Sequence, residues 1–220
     1  MVAVTNRNIV LHLPGVEPPP VSPEFHRLVA DCGLWWDMYG VHLVNADVDV
    51  REARVNVNTD EPWLAVAAWW QDQPDYDPAA VCTTFLSGWD SPLYIGWGGR
   101  LGSGGGLSVV GEYAIKRILT TPLTPDDPTD WQDPAALVDD RQAGHLYLHE
   151  KGHELGLSHD HSTPGAVMGY EGWFGYNAIL GQPSADALAA RFDRSDEHEA
   201  FLYVQACRRL KDAPWKQHFG

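Results

Sequence analysis

The sequence predicts a single domain of the α+β class, and three observations lead to this prediction. Short apolar or alternating runs, which are typical of β-strands, recur through the first 113 residues. One patterned helix interrupts them, and a second helix carries a histidine cluster near residue 150. The length of 220 residues fits one domain, and this order of elements favours a sheet packed on helices.

The first predicted strand and helix have clear boundaries. Ile9–Leu13 is a short apolar run, followed by Pro-Gly, and it predicts a strand. Ser22 as N-cap and Pro23 as the first helical residue predict a helix that reaches about Tyr39 and ends at Gly40. Its inward positions are expected to be Phe25, Leu28, Val29, Cys32, Leu34 or Trp35, and Trp36.

The remaining elements follow from the same patterns. Trp63–Trp70 fits a helix and a strand equally well, and the Pro- and Asp-rich residues 120–134 predict an irregular surface loop. A helix is predicted to start between Pro134 and Arg141 and to end at Leu155, with a long irregular stretch after it. The predicted strands are Val41–Val48, Ala53–Val57, Val81–Leu86, Leu93–Trp97 running into Gly98-Gly99, and Leu107–Tyr113, and a last helix is predicted at about Asp196–Leu210.

Composition limits the possible partners. Fifteen Lys and Arg residues stand against 30 Asp and Glu residues, and the resulting net charge of −15 repels phosphate backbones. We therefore expect no nucleic-acid partner. No run of 18 or more apolar residues occurs, so no membrane span is predicted. The sequence does not indicate an oligomeric state.

Cysteine usage and the N-terminal residues bear on the compartment. Cys32, Cys82 and Cys207 form no CxxC pair, and three cysteines allow at most one internal disulfide. The first residues lack the basic stretch and apolar core of a secretory signal. We therefore expect either a cytoplasmic protein or a trimmed form of a secreted one.

The most informative stretch runs from His149 to Asp160. On a helix, positions i and i+4 lie on one face, so His149 and His153 can offer two imidazoles to one metal ion. Glu150 is rotated by about 100° from the first histidine. That rotation places its carboxylate beside an open coordination position, where it can act as general base.

The position of Gly156 predicts how the chain supplies a third metal ligand. Gly156 can adopt the left-handed conformation that ends a helix, and the chain can then turn and bring back His159. Three protein nitrogens and one open position are typical of a catalytic zinc site. Zinc fits this set better than iron or copper, because neither a carboxylate ligand nor a Cys/Met set is present.

This stretch resembles the long motif HExxHxxGxxH of the metzincin zinc metallopeptidases. The family also has a methionine in a tight turn beneath the metal, and Met168, in Val-Met-Gly-Tyr, lies nine residues past His159. Tyr170 matches a tyrosine that lies near the metal in astacin-like and serralysin-like members, although simple packing explains it equally well.

Within the metzincins, Asp160 directly after the third histidine resembles the adamalysin/reprolysin branch. Residues 80–110 also look like the strand, edge strand and following strand of that branch. The dipeptide Ser158-His159 and the stretch Pro164–Met168 also resemble the corresponding segments of matrixins.

The resemblance implies a zincin fold with two lobes, an upper lobe of about residues 1–156 and a lower lobe of about 157–220. A zinc ion at the floor of the cleft would serve a peptidase whose substrate is a peptide or protein. The edge strand would bind that substrate in extended form. The residues implied in substrate binding are Tyr94, Ile95, Gly96 and Trp97 on the edge strand and Trp173 and Phe174 beside the cleaved bond.

Two other functions fit the same residues. One is a non-proteolytic zinc hydrolase that acts on a small amide, which a blocked or narrow cleft would indicate. The other is a zinc-stabilised binding protein without activity. Glu150 argues against the second, because a purely structural site has no use for a carboxylate beside an open coordination position.

Overall fold

The computed structural model describes a mixed sheet with helices on both of its faces. The described residues are 1–18, 21, 23–45, 47–57, 59, 61–87, 89, 96–101, 105–111, 140–160, 162–163, 166–169 and 180–194. They form six strands and four helices in the order β1 (Val2–His12), α1 (Pro23–Met38), β2 (Val41–Val44), β3 (Val48–Glu52), α2 (Pro62–Gln71), β4 (Val81–Ser87), β5 (Gly96–Arg100), β6 (Gly106–Val110), α3 (Asp140–Glu154) and α4 (Gln182–Arg191). This arrangement confirms the predicted α+β class.

The strand order across the sheet is β2-β1-β4-β6-β5, and β3 also pairs with β1. All pairs are parallel except β5 with β6, which is antiparallel. Within the described residues, β5 forms one edge of this sheet, and β2 and β3 form the other. β5 lies next to α3, the helix that carries the histidines.

β2 and β3 follow one another along β1 with a break between them. Val2 pairs with Val41 but Asn8 pairs with Val48. The stretch from Val41 to Val48 therefore contains one residue more than the stretch of β1 that it pairs with. Asn45 has a φ of 78°, and the side chain of Asn6 donates to its carbonyl at 2.9 Å. An extra residue of this kind bends the strand, and the single strand predicted over Val41–Val48 is therefore two.

Alternate residues of the strands build a separate core on each face of the sheet. Val10, Phe85 and Val110 point to the face that α1, α3 and α4 cover. Ile9 and Leu107 point to the opposite face, where α2 packs through Val66, Trp70 and neighbouring residues. β4 is buried along its whole length because helices lie on both sides of it. No described helix has the length and apolar character that crossing a membrane requires.

The structure corrects several of the predicted elements. Residues 53–57 form no strand: Ala53 N–H donates to the carbonyl of His12, and β1 ends there, so no partner strand continues. α4 lies in a stretch that was expected to be irregular, and the ambiguous Trp63–Trp70 is helical. Leu34 is exposed, whereas Trp35 is fully buried. The helix predicted at 196–210 and the loop at 120–134 lie outside the described residues.

The two described cysteines are buried and not paired with each other. Burial raises the pKa of the Cys82 thiol to about 12 and the pKa of Cys32 well above its usual value. Both side chains therefore stay protonated at neutral pH and act as small apolar core residues. Cys207 lies outside the described part of the chain.

Candidate metal centre

Three imidazole nitrogens converge at one point beside α3. The Nε2 atom of His153 lies 3.1 Å from Nε2 of His149 and 3.1 Å from Nε2 of His159. A tetrahedral ion at 2.0–2.1 Å from each nitrogen would hold two such ligands about 3.3–3.4 Å apart. The three histidines could therefore hold one metal ion, and they are the three that the sequence singled out.

The other ring nitrogens of the two helical histidines are committed to backbone carbonyls. His149 Nδ1 lies 2.6 Å from Val167 O, and His153 Nδ1 lies 2.8 Å from Leu157 O. A carbonyl can only accept, so both Nδ1 atoms carry a proton and donate. Burial also lowers the pKa of His153, which favours its neutral form. Two Nε2 lone pairs then face each other, an arrangement that a cation between them stabilises.

A turn at Gly156 ends α3 and positions the residues that follow it. Gly156 has a φ of 86°, its N–H donates to His153 O, and Leu157 N–H donates to Gly152 O, both at 2.9 Å. These two bonds are the pair that defines a Schellman cap. Because the cap fixes Leu157, it also presents the carbonyl that orients His153. The same turn leads the chain back to His159.

Met168 lies directly beneath the helix. Its side chain is fully buried, and its sulfur lies so close to Gly152 that a Cβ on this glycine would overlap it. Met168 belongs to a turn in which Gly169 N–H donates to Ala166 O, and its own carbonyl accepts from Asp160 N–H at 2.8 Å. The same turn supplies Val167 O to His149. Met168 therefore packs against α3 at Gly152, next to His153 in the chain.

Glu150 is buried next to the histidines, with only 3% of its surface exposed. Its Oε2 atom finds no hydrogen-bond partner. Burial, and to a smaller extent the negative charge of Glu154, raise the pKa of Glu150 to about 8 in the metal-free chain. A cation held by the three neighbouring imidazoles would lower this pKa again and favour the carboxylate.

Gly98 on β5 is a site residue that the sequence analysis missed. A Cβ at this position would lie 2.6 Å from Glu150 Oε2 and 2.8 Å from His153 Cβ. The edge strand can approach the helix this closely only because the residue has no side chain. The strand predicted over Leu93–Trp97, running into Gly98-Gly99, extends further than expected, since β5 contains both glycines and reaches Arg100, while residues 93–95 lie outside the described part of the chain.

A second charged cluster, also missed from the sequence, lies where α3 packs against β1, β4 and β6. Lys151 and Glu154 are completely buried and form an ion pair of 2.6 Å. Lys151 also donates to Asn6 Oδ1 at 2.8 Å, and the other Glu154 oxygen accepts from Thr83 Oγ1 at 2.8 Å and from the Ser108 hydroxyl. The cluster fixes the helix to β1, β4 and β6 through bonds that satisfy both charges.

The other predicted site residues divide into two groups. Asp160 is buried, and its Oδ1 accepts from Ser162 N–H at 2.9 Å and from the Ser162 hydroxyl at 2.6 Å. It therefore shapes the turn that follows His159. Gly96 and Trp97 are the first two residues of β5, and the structure describes their backbone. Tyr94, Ile95, Tyr170, Trp173 and Phe174 lie outside the described residues.

Comparison with known proteins adds a likeness of fold. No protein-family model matches the chain, and no curated protein matches it. Matching solved structures include wild-type OgpA from Akkermansia muciniphila in two crystal forms, P 41 21 2 and P 21 21 21, with TM-scores of 0.49 and 0.50. Each match has 15% sequence identity and covers 85% of this chain but 60% of OgpA. At this identity the likeness shows a shared fold, over part of a longer protein.

Proposed function

We propose that this protein is a zinc-dependent endopeptidase related to the metzincins. The observation that carries the proposal is the convergence of three Nε2 atoms beside a buried glutamate whose Oε2 has no hydrogen-bond partner. A structural metal site has four protein ligands, whereas three histidines leave a position open for substrate or water. The assignment to the adamalysin/reprolysin branch rests on Asp160 and residues 80–110 and stays a prediction.

The donor set suits zinc among the common metals. Three neutral imidazoles with carbonyl-bound Nδ1 atoms are typical zinc ligands, and no described carboxylate or thiolate joins them. When bound, zinc would polarise the scissile carbonyl and lower the pKa of a water molecule.

Glu150 would move the proton in this reaction. Its carboxylate would accept a proton from the attacking water and deliver it to the leaving amine. The carboxylate lies in a buried pocket between α3 and β5, where its charge is poorly solvated and its oxygen has no competing donor. A proton accepted from water would neutralise the carboxylate and so remove the free-energy cost of its poorly solvated charge.

The substrate would bind in extended form along β5. Within the described residues this strand forms the edge of the sheet next to α3, and Gly98 brings it against the catalytic glutamate. An added strand would gain backbone hydrogen bonds from the edge. The proposal also includes a zincin fold whose upper and lower lobes meet at about residue 156. Trp173 and Phe174 would line the substrate pocket beside the cleaved bond.

Metal analysis combined with a protease assay tests the proposal. The purified protein is expected to contain one zinc ion per chain and to cleave a denatured protein, and a chelator is expected to abolish cleavage. His153→Ala is expected to lose the metal, whereas the matched control His42→Ala, at an exposed position on β2, keeps it. Wild-type protein without stoichiometric zinc contradicts the metal assignment. A zinc-loaded protein that cleaves small amides but no peptide contradicts the endopeptidase assignment.

A further inference from the structure

The outward side of α2 differs from the exposed sides of α1 and α4. Those two helices expose charged residues such as Arg27 and Asp186, whereas no residue of α2 is charged. Leu64 is 56% exposed, and Ala68 is exposed as well. A helix that is apolar on all sides is normally buried on all sides. We call this outward side the α2 face, and it consists of Leu64, Ala65, Ala68 and Trp69.

Helix geometry brings the four side chains of the α2 face together. Positions i and i+4 lie on the same side of a helix, which places Ala68 beside Leu64. Trp69 lies beside Ala65 for the same reason, while Trp70 points into the core beneath the sheet. The two alanines allow a second backbone to approach closely. The half-buried Trp69 adds a large apolar surface.

A cavity of about 350 Å³ opens at the N-terminal end of the α2 face. Leu64 and Ala65 line it together with Asn56, Thr59 and Glu61. Its volume lies within the range of about 300–1,000 Å³ that is typical of binding pockets, so it can receive a large apolar side chain from a partner. Exposed apolar side chains beside such a recess are typical of an interaction surface.

An acidic residue flanks the α2 face at each end. Glu61 precedes the first residue of α2, Asp72 follows the last one, and both are exposed. Positions 61 and 72 are separated by about three turns of helix, so both carboxylates lie on the same side as the α2 face. At a rise of 1.5 Å per residue, they are roughly 16 Å apart along the helix axis.

The chain supplies few cations near these carboxylates. No lysine or arginine occurs between Arg54 and Arg100, although Asp and Glu recur through that stretch. The guanidinium of Arg51 lies over the Trp70 ring. Asp49 and Asp75 both accept hydrogen bonds from it. The α2 face is therefore an apolar surface in acidic surroundings, which favours a basic partner.

The same charges disfavour two other occupants of the α2 face. In a symmetric antiparallel pair of α2 helices from two copies of the chain, Glu61 of each copy would face Asp72 of the other, and like charges would meet at both ends. An anionic bilayer would be repelled in the same way. α2 and α3 cover opposite faces of the sheet, so binding at the α2 face does not depend on the proposed metal chemistry.

We propose that the α2 face binds an amphipathic helix of a basic protein partner. The apolar side of that helix would pack on the four residues of the α2 face, with one large side chain in the cavity. Lysine or arginine residues at its two ends would face Glu61 and Asp72. Helices bind apolar surfaces in this way through side chains spaced at i, i+3, i+4 and i+7.

Two matched synthetic peptides test this binding. Each is a helical peptide of about 18 residues with one leucine side, and it carries either lysines or glutamates about 11 residues apart, the separation of Glu61 and Asp72. Titration of the dye-labelled peptides with the whole chain, followed by fluorescence anisotropy, gives Kd. At low ionic strength the lysine peptide is expected to bind about tenfold more tightly than the glutamate peptide. This advantage should shrink as salt rises.

A leucine variant locates the binding site. Leu64→Ala removes apolar area from the contact and is expected to raise Kd for the lysine peptide about five- to tenfold. The matched control Leu34→Ala makes the same change at a leucine of α1 that is 46% exposed, and it should leave Kd unchanged. Equal weakening by both variants overturns the proposal, and so does a lysine peptide that does not bind.

Charge reversal tests the two flanking carboxylates. Glu61→Lys combined with Asp72→Lys is expected to transfer the preference to the glutamate peptide. Glu17→Lys combined with Asp186→Lys changes the net charge equally at exposed positions elsewhere and should keep the preference for the lysine peptide. A preference that changes equally in both double variants reflects net charge alone and overturns the proposal.

Two further measurements identify a different occupant. Self-association of the chain in sedimentation velocity, abolished by Leu64→Ala, would assign the α2 face to a second copy. Binding to neutral phosphatidylcholine vesicles, lost in Leu64→Ala while neither peptide binds, would assign it to a membrane surface. Either result overturns the assignment to a basic helix.

Discussion

Two buried glutamates, one helical turn apart on α3, have opposite surroundings. Glu154 is held by a lysine and two hydroxyl groups, and each of its oxygens has a partner. Glu150 is almost as deeply buried, yet its Oε2 has none. The two glutamates lie four residues apart on the same side of α3, yet Glu154 is fully satisfied over β4 and β6 while Glu150 has an unsatisfied oxygen beside Gly98 of β5.

This difference is the one expected between a charge that stabilises the fold and the proposed general base. Burial of a carboxylate without partners costs several kcal/mol, and such groups occur where the chemistry requires them. Burial with a full set of partners fixes one helix position against one sheet position instead. Substitutions at Glu150 and in the Lys151–Glu154 ion pair should therefore have separable effects, on activity for Glu150 and on folding for the ion pair.

The largest effect is expected at Glu150. Glu150→Gln keeps the shape of the side chain but removes the proton acceptor, so kcat should fall by about 10²–10⁴-fold. Metal content should stay near that of wild type, and so should the unfolding transition of the zinc-loaded protein, because no described bond to Oε2 is lost. Peptide hydrolysis, metal analysis and thermal unfolding measured on one preparation check this. A variant that retains activity within a few-fold of wild type shows that Glu150 is not the general base.

Lys151→Ala tests the buried Lys151–Glu154 ion pair. It leaves the Glu154 carboxylate buried without its cation, and removal of one partner from a buried ion pair costs about 3–5 kcal/mol. Urea unfolding of the metal-free protein measures this loss. Lys151→Ala should also lower activity less per folded, zinc-loaded molecule than Glu150→Gln does. The reverse ranking, with stability unchanged and activity abolished, would remove the distinction between the two glutamates.

The unsatisfied glutamate should also make the metal-free protein less stable as pH rises. The pKa of Glu150 is about 8 in the folded chain against 4.5 for an ordinary, solvated glutamate side chain. The folded state therefore binds more protons than the unfolded state between these values, and stability that is present below pH 4.5 is lost towards pH 8. Linkage gives a loss of about 3 kcal/mol by pH 7.

The matched comparison is Glu150→Gln, which does not titrate. In chelator, the difference in unfolding free energy between this variant and wild type should widen from pH 4.5 to pH 7. Added zinc should narrow it, because a cation favours the carboxylate in the folded state. A difference that stays constant over this range means that Glu150 is solvated or hydrogen-bonded in solution.

The smallest effect is expected where α3 touches Met168. Gly152→Ala brings a methyl group onto the buried sulfur and should cost about 1–3 kcal/mol despite the better helix propensity of alanine. In a Met168→Ala background, which by itself opens a cavity, the same Gly152→Ala change should become stabilising. Unfolding of the two single variants and the double variant gives the coupling energy. Additive effects would show that Met168 does not contact the helix at Gly152.

The sequence predicted the parts of the site that depend on local spacing. The i,i+4 histidines, the helix end and the glycine turn at 156 follow from helix period and backbone conformation, and the structure brings His159 to the same point. Gly98 could not be predicted in this way. Glycine ordinarily weakens a strand, and its role here depends on α3 approaching from more than 50 residues later in the chain.

The same limit explains the error at β1. The polar residues Asn6 and Asn8 interrupt its apolar pattern, so only Ile9–Leu13 was predicted as a strand, whereas β1 begins at Val2. Lys151 and Tyr147 provide hydrogen bonds to these asparagines from a distant helix. A buried polar position is indistinguishable from an exposed one in sequence when its partner lies more than 100 residues away.

The turn that orients the histidines also governs how fast a bound ion could leave. Leu157 and Val167 give their carbonyls to the two helical histidines, and Asp160 N–H joins the same segment to Met168 O. A ligand cannot rotate away until this segment separates from α3, which is a local unfolding event with its own free energy. Metal loss to excess chelator should therefore reach a limiting rate, independent of chelator concentration, set by the opening of residues 157–168.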